Sequence, residues 1–254
     1  MTTPEQRRRT IADLVTQHDG LSVDELAARL EVSSSTIRRD LSALAERDLV
    51  ERTHGGAVPV TNVGVEQPFN QRVVHNLERK RPIGERAVRE IQEGQVVYFD
   101  AGTTTMQAAK KTPEDLSNVF VTNSPLLLSR LAEGEETVKL TGGQYRPETK
   151  ALVGPTAEAY IRNSNFDLGF LGVNGISEDG ELSTPNESEA ALKRLVMANT
   201  SRVAVVTATE KFGERSFRQF GSIDDIDLLV TDARVPEPFR DLFDGTELVE
   251  DTFG

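Results

Sequence analysis

Ser33-Ser34-Ser35-Thr36-Ile37-Arg38-Arg39-Asp40-Leu41, followed shortly by Arg52-Thr53-His54-Gly55-Gly56-Ala57, decides the fold of the N-terminal part of this chain. Small hydroxyl residues open a helix, two arginines sit one turn in, and a glycine-bearing turn follows. That order suits an element that enters a DNA groove with a wing lying beside it. Ser33, Ser34, Ser35 and Thr36 can reach phosphates or base edges, and Arg38 and Arg39 can contact phosphate or guanine. Arg52, His54 and Gly55 complete the candidate interface from the wing. Taken alone, the hydroxyl run would mark only a capped surface helix with two solvated arginines.

The flanking pattern favours DNA. Ile11, Leu14 and Val15 recur at helical spacing within residues 5–17, and Gly20 ends that helix. Ser22 with Glu25 forms a capping box that opens a second helix through Leu30. Val32-Ser33 makes a short turn, and Ser33 caps a third helix whose apolar stripe is Ile37, Leu41, Leu44 and Ala45. Residues 49–52 and 54–58 read as two short strands around a tight turn. Three helices and a β-wing predict a winged helix-turn-helix over residues 1–58.

The charge balance constrains how such a module works. The chain has 254 residues and a formal charge of −12; residues 1–58 hold eight Lys+Arg against ten Asp+Glu. Non-specific DNA affinity rests on neutralised phosphates, so local placement of Arg7-Arg8-Arg9, Arg38-Arg39 and Arg52 has to compensate. Arginine outnumbers lysine by 22 to seven, and acids predominate throughout. That composition matches a halophile's cytoplasm, where salt screens self-repulsion, and an acidic mesophilic protein is the plain alternative. With no cysteine, disulfides and thiolate chemistry are excluded. His18, His54 and His75 are the only histidines, so none serves chemistry in the remaining two thirds. No metal or cofactor site is expected. No apolar run spans a bilayer and no signal-like start is present, which implies a cytoplasmic protein without membrane contact.

Residues 59–76 lack clear periodicity and read as a linker. From 77 to 254 apolar runs alternate with helical segments, which implies an α/β domain with a largely parallel sheet. The runs are 96–99, 119–121, 138–140, 166–171, 203–206 and 228–230; the helices include 125–132, 155–162 and 187–199. After the first strand comes Asp100-Ala101-Gly102-Thr103-Thr104-Thr105. There Gly102 allows a sharp turn, and the threonines present hydroxyls and N–H groups at a helix start, a cradle for an anion. A threonine cap after a strand is the bland alternative. The stretch is neither a P-loop nor a G-x-G-x-x-G fingerprint. Lys80 either adds charge to a bound phosphate or is a solvated linker lysine.

These motifs, with Val121-Thr122-Asn123-Ser124, Gly142-Gly143, Gly154-Pro155, Gly172, Gly175-Ile176 and Lys211-Phe212-Gly213, resemble the DeoR family of repressors over nearly the whole chain. The likeness is greatest to its glycerol-3-phosphate-repressor-like branch. The resemblance implies a Rossmann-like, sugar-phosphate-isomerase-like sensor domain that binds a phosphorylated sugar or polyol. It also implies double-stranded operator DNA as partner and a homodimer or homotetramer. Asp100, Asn123, Asn174, Gly175, Glu189, Lys193 and Lys211 join Lys80 and the threonine loop as effector candidates on this analogy. Glu189 and Lys193, at i and i+4, are otherwise an ordinary helical ion pair.

The rival expectation is a sugar-phosphate isomerase-like enzyme fused to a DNA-binding module. Such isomerases carry a Gly-Ala-Asp-Glu motif, whereas the corresponding stretch here reads Gly172-Val173-Asn174-Gly175. An amide cannot serve as the base that moves a proton between carbons. Thr207-Ala208-Thr209-Glu210 also departs from the Ala-Asp-Ser-Ser of many family members, which loses an acceptor for a sugar hydroxyl.

Overall fold

A computed structural model describes residues 3–18, 20–47, 49–53, 55–58, 67–113, 117–134 and 136–250. The chain divides into two compact units, Met1–Asn76 and Leu77–Gly254.

In the first unit, α1 (Pro4–Gln17) starts at a Thr3 capping box, and β1 (Leu21–Ser22) leads into α2 (Val23–Leu30). The expected Ser22–Glu25 box is present in both directions, so two otherwise unpaired N–H groups at that helix start are satisfied. After the turn α3 (Ser34–Ala45) begins, its N-cap Ser33 accepting from the Thr36 amide. β2 (Glu51–Arg52) and β3 (Gly56–Val58) form the wing. β3 also pairs with β1, so the sheet has three strands in the order β1-β3-β2 rather than the two expected. Gly56 is obligatory here because a Cβ would lie 2.1 Å from the Leu21 carbonyl oxygen. Ile11, Val15, Leu26, Ile37, Leu41 and Leu44 are fully buried in a core shared by the three helices.

The segment expected to be a linker, with Phe69 packing on one domain, contains α4 (Phe69–Val74), which belongs to the first unit and packs on α1, with Phe69 buried. Gln71 donates to Asp13 at 3.2 Å across that contact. Residues 59–66 lie outside the described residues.

The second unit starts with α5 (Leu77–Ala87), followed by β4 (Val96–Phe99), α6 (Thr103–Ala109), β5 (Val119–Thr122), α7 (Pro125–Leu131) and β6 (Thr137–Leu140). A hairpin of β7 (Gln144–Arg146) and β8 (Ala151–Val153) precedes α8 (Pro155–Arg162) and β9 (Phe166–Leu171). Next come β10 (Gly175–Ile176), β11 (Glu181–Thr184), α9 (Glu187–Ala198), β12 (Thr200–Thr207) and β13 (Arg218–Ser222). The chain closes with β14 (Leu228–Thr231), α10 (Glu237–Arg240) and β15 (Glu247–Val249).

Seven strands form one parallel sheet in the order β15-β14-β12-β9-β4-β5-β6. Its central strands are continuous apolar runs because helices cover both faces: α5 and α6 contact one another and the sheet, while α8 and α9 pack together, α9 also against β9 and β12. From β4 the chain winds outward through β5 and β6, then returns to the other side of β4 for β9, β12, β14 and β15. The sheet therefore reverses direction between β4 and β9. A crevice outside the carboxyl ends of those two strands is where this architecture holds ligands. The strands β10, β11 and β13 form a separate antiparallel sheet that the sequence pattern did not reveal.

Candidate nucleic-acid interface and effector crevice

On the first unit, α3 exposes Ser33, Ser35, Arg38 and Arg39 on the side opposite its buried Ile37, Leu41 and Leu44. The hydroxyl cluster is interlinked: Ser33 Oγ lies 2.9 Å from Ser35 Oγ and 2.8 Å from Thr36 Oγ1. Ser34, expected to face the nucleic acid, instead donates to Asp24 Oδ1 on α2 at 3.0 Å and holds the two helices in register. From the wing, Arg52 Nη1 donates to Ser42 Oγ on α3 at 2.9 Å, so the wing is tied to the helix it flanks. Gly55 is exposed with open space around it. His54 lies outside the described residues.

Two of the arginines credited to the DNA-facing surface serve another purpose. Arg7 and Arg8 each donate through Nε to the buried Asp40 of α3, at 2.6 and 3.0 Å. The sequence places Asp40 directly after Arg38-Arg39, yet the helix turns it to the opposite side, where it fastens α3 to α1. Arg9 remains exposed.

On the second unit, the crevice is organised by one buried pair. Asp100 follows the last residue of β4, and its Oδ2 accepts from Lys193 Nζ at 2.5 Å and from the Gly172 amide at 3.2 Å. Lys193 also donates to the Gly172 carbonyl at 2.8 Å, and its ammonium lies 5.3 Å from the Phe220 ring centre. Asn186 caps α9 by accepting from the amides of Ser188 and Glu189, which puts Glu189 in the first turn and Lys193 one turn on. The two do not form the i, i+4 pair their spacing suggested: Lys193 holds Asp100, while Glu189 Oε1 lies 3.4 Å from Arg146 Nε of β7. Burial first, then the nearby charges of Asp100 and Glu189, push the Tyr98 phenol well above its ordinary range. Both carboxylates therefore act at this end of β4.

The threonine loop does less than its sequence promised. Thr105 is fully buried, and its hydroxyl donates to the carbonyls of Asp100 and Gly102 at 2.6 and 2.8 Å, which closes the turn instead of facing a ligand. Gly102 has an ordinary φ of −77°. Its missing side chain matters because a Cβ would lie 2.9 Å from Thr105 Oγ1. Thr103 and Thr104 are buried at the start of α6, which has seven residues. Lys80 is buried within α5, so it is not a solvated linker lysine.

Asn123 directly follows Thr122, the register partner of Phe99, and so stands beside Asp100 at the carboxyl edge. Asn174 and Gly175 belong instead to the small sheet: Asn174 Oδ1 accepts from Thr184, and a Cβ on Gly175 would lie 2.4 Å from the Glu214 carbonyl oxygen. Lys211 sits in the turn after β12, 3.3 Å from Glu210. The structure thus brings Asp100, Asn123, Glu189 and Lys193 together, and it adds Arg146 and the β7–β8 hairpin, which sequence reasoning missed.

A winged helix-turn-helix, and a doubly wound sheet with a buried charged pair at its carboxyl edge, are the parts of a DNA-binding transcriptional regulator with a sensor domain. The family model described as the DeoR-like helix-turn-helix domain matches residues 7–63, and the DeoR C terminal sensor domain matches residues 75–233. The HTH-type transcriptional regulator GlpR of Haloferax volcanii is 52% identical over 238 residues, spanning 94% of this chain and 93% of that protein. The glycerol-3-phosphate regulon repressor of Escherichia coli is 33% identical over 232 residues, 91% of this chain and 92% of that one. Among solved structures, ribose 5-phosphate isomerase A of Methanocaldococcus jannaschii aligns over 54% of this chain and 55% of its own, with a TM-score of 0.41 and 15% identity. The chain belongs to the DeoR family. It is a transcriptional regulator, and the isomerase-like enzyme reading falls away. Among the described residues, no helix is long and apolar enough to cross a membrane.

Proposed function

We propose that the protein is a cytoplasmic repressor of sugar or glycerol catabolic genes. It grips a two-part operator as a homodimer or homotetramer and is released by a phosphorylated sugar or polyol. DNA contact falls to Ser33, Ser35, Thr36, Arg38, Arg39 and the wing around Arg52 to Gly55. The observation that carries the sensing half is the buried Asp100–Lys193 pair at the strand-order reversal between β4 and β9. A buried ion pair is costly to desolvate, and its position in a ligand crevice suits a functional role better than a stabilising one. Lys193 and Arg146 are the cations of this cluster that could serve a phosphate, and Asp100, Asn123 and Glu189 are acceptors for hydroxyls.

The name of the Escherichia relative supports glycerol 3-phosphate or a related sugar phosphate as the effector class. Release follows from linkage: an effector that binds the DNA-free conformation more tightly must lower operator affinity by the same factor. The test is fluorescence anisotropy on the DNA upstream of the protein's own gene, at molar potassium chloride. Glycerol 3-phosphate, fructose 1-phosphate and fructose 6-phosphate are titrated in. At least one should weaken operator binding tenfold or more; if none changes it, the sensing half of the reading fails.

A further inference from the structure

The β7–β8 hairpin closes a ring of contacts around the effector crevice. Lys193 holds Asp100, and Glu189 stands one turn before Lys193 on α9. Glu189 meets Arg146 of β7, which pairs across the hairpin with Ala151 of β8. The next residue of β8, Leu152, exchanges two bonds with Asn123: its amide donates to the Asn123 carbonyl at 2.7 Å, and Asn123 Nδ2 donates to its carbonyl at 3.2 Å. Asn123 in turn stands beside Asp100. Ala151 and Val153 pack on Ala101, so β8 lies on the loop that carries Asp100. Gly143 lets the hairpin start here: its φ is +115°, and a Cβ would lie 2.6 Å from the Val153 carbonyl oxygen.

Two buried polar atoms on this ring and its hairpin have no hydrogen-bond partner among the described residues, Asn123 Oδ1 and Thr149 Oγ1, while Glu189 Oε1 has only the ion-pair contact with Arg146 at 3.4 Å. Asn123 and Thr149 are each only 2% exposed. Buried polar groups in native proteins are nearly always paired, so two such atoms, one beside Asp100 and one in the turn of the adjoining hairpin, point to a ligand that supplies the partners. Their chemistry narrows what it is. The Asn123 amide cannot be flipped, because its Nδ2 already donates to a carbonyl, so Oδ1 faces its partner as an acceptor. The Glu189 carboxylate, which also faces Arg146, is an acceptor as well. Phosphate oxygens are also acceptors, so Asn123 Oδ1 and the Glu189 carboxylate pair with O–H groups rather than with an ionised phosphate. Thr149, in the hairpin loop, can donate or accept.

We propose that the β7–β8 hairpin is the hydroxyl-reading wall of the crevice, with Thr149, Asn123 and Glu189 binding the hydroxylated end of the effector, away from its phosphate. The assignment rests on the sugar-phosphate reading above and adds which part of the ligand is recognised where. Thr149 then sets which polyol or sugar is accepted, since a site built to pair a hydroxyl rejects an analogue lacking it.

Calorimetry on the full-length protein at molar potassium chloride tests this, with glycerol 3-phosphate, fructose 1-phosphate and inorganic phosphate as probes. Thr149→Val keeps the shape and breaks no internal hydrogen bond. It should weaken the sugar phosphate that the wild type binds by about tenfold. Inorganic phosphate binding should stay unchanged, and the melting temperature should stay level or rise. Thr149→Ser should bind within about twofold of the wild type, since its hydroxyl is retained. Wild-type affinity in Thr149→Val overturns the hairpin assignment while leaving the effector reading intact. Equal weakening of sugar phosphate and inorganic phosphate overturns the separation of the two ends. A lowered melting temperature means the hydroxyl has an internal partner and also overturns it. If the wild type binds neither sugar phosphate, the effector reading falls and this proposal with it.

Discussion

Replacing Asp40 by alanine removes the counter-charge from two arginines at once. Asp40 is 2% exposed, and its carboxylate is shared between Arg7 at 17% and Arg8 at 24% exposure. Breaking a fully buried pair costs about 3–5 kcal/mol. Both arginines keep partial access to water, so a discounted cost of about 2–3 kcal/mol is expected. A unit of this size has roughly 4–11 kcal/mol of total stability, so the loss is a large fraction of it. The corresponding fall in melting temperature is on the order of 10–20 °C. Hydrogen exchange in the full chain reads the effect where it occurs: amides of α1 and α3 should lose protection together, while those of β4 and β9 keep theirs. The loss should persist at molar potassium chloride, because salt screens a buried carboxylate poorly. Operator affinity separates this from a DNA-contact role for the two arginines. If Arg7 and Arg8 bound phosphate, freeing them from Asp40 would tighten operator binding; as a clamp, their release loosens α3 and weakens it. Unchanged exchange in α1 and α3, or tighter DNA binding, would refute the reasoning.

Three further outcomes are expected. Arg38→Ala with Arg39→Ala should abolish specific binding and lower the salt slope of the remainder by about one per lost phosphate contact, with melting unchanged since both side chains are exposed. Competition titrations at several salt concentrations measure this, and loss of effector binding as well would indicate misfolding instead. Asp100→Asn leaves the Lys193 ammonium buried without its counter-charge, which should cost about 3 kcal/mol and remove effector binding; calorimetry that finds the sensor unit equally stable would contradict it. Glu90 feels burial, which raises its pKa, but the bonds from Arg86 and Arg202 prevail and hold it below 4.5. A carboxylate lowered on folding stabilises above its unfolded pKa and loses that contribution as pH falls through the folded value. Glu90→Gln should therefore be less stable than the wild type at neutral pH, with the gap closing below pH 4.5, as followed by denaturant melts; a constant gap would rule out the linkage.

Legibility followed the range of the interactions. The three N-terminal helices, their Ser22 and Ser33 caps and the strand Phe166–Leu171 were readable because capping and apolar periodicity act within a few residues. The small sheet β10-β11-β13 was not, since its short strands are joined by pairing between residues such as Leu182 and Gly221, far apart in the chain. The β7–β8 hairpin escaped for the same reason: each strand has three residues, and the anchors are Asn123 and Glu189 on other elements. At the crevice, family resemblance grouped Asp100, Glu189 and Lys193, while local spacing offered a plain Glu189–Lys193 ion pair as the alternative. Lys193 reaches across 93 residues to Asp100 rather than one turn to Glu189.

The same long-range pairing settles how an acidic chain can engage DNA. Of the eight arginines in residues 1–58, Arg7 and Arg8 hold Asp40, Arg47 pairs with Glu5, Arg29 bonds His18, and Arg52 braces Ser42. Among the described residues, Arg9, Arg29, Arg38, Arg39 and Arg52 enter no ion pair, and of these Arg9, Arg38 and Arg39 make no side-chain hydrogen bond either. Few cations remain to neutralise phosphates, so the salt dependence of binding should be shallow. A shallow slope is a handicap in dilute salt, where strongly basic proteins gain most. It becomes an advantage in concentrated salt, where a long list of phosphate contacts is the first thing lost. On the proposed reading, affinity there comes from base-edge contacts by Arg38 and Arg39, with α3 held in place by Asp40 and Ser34.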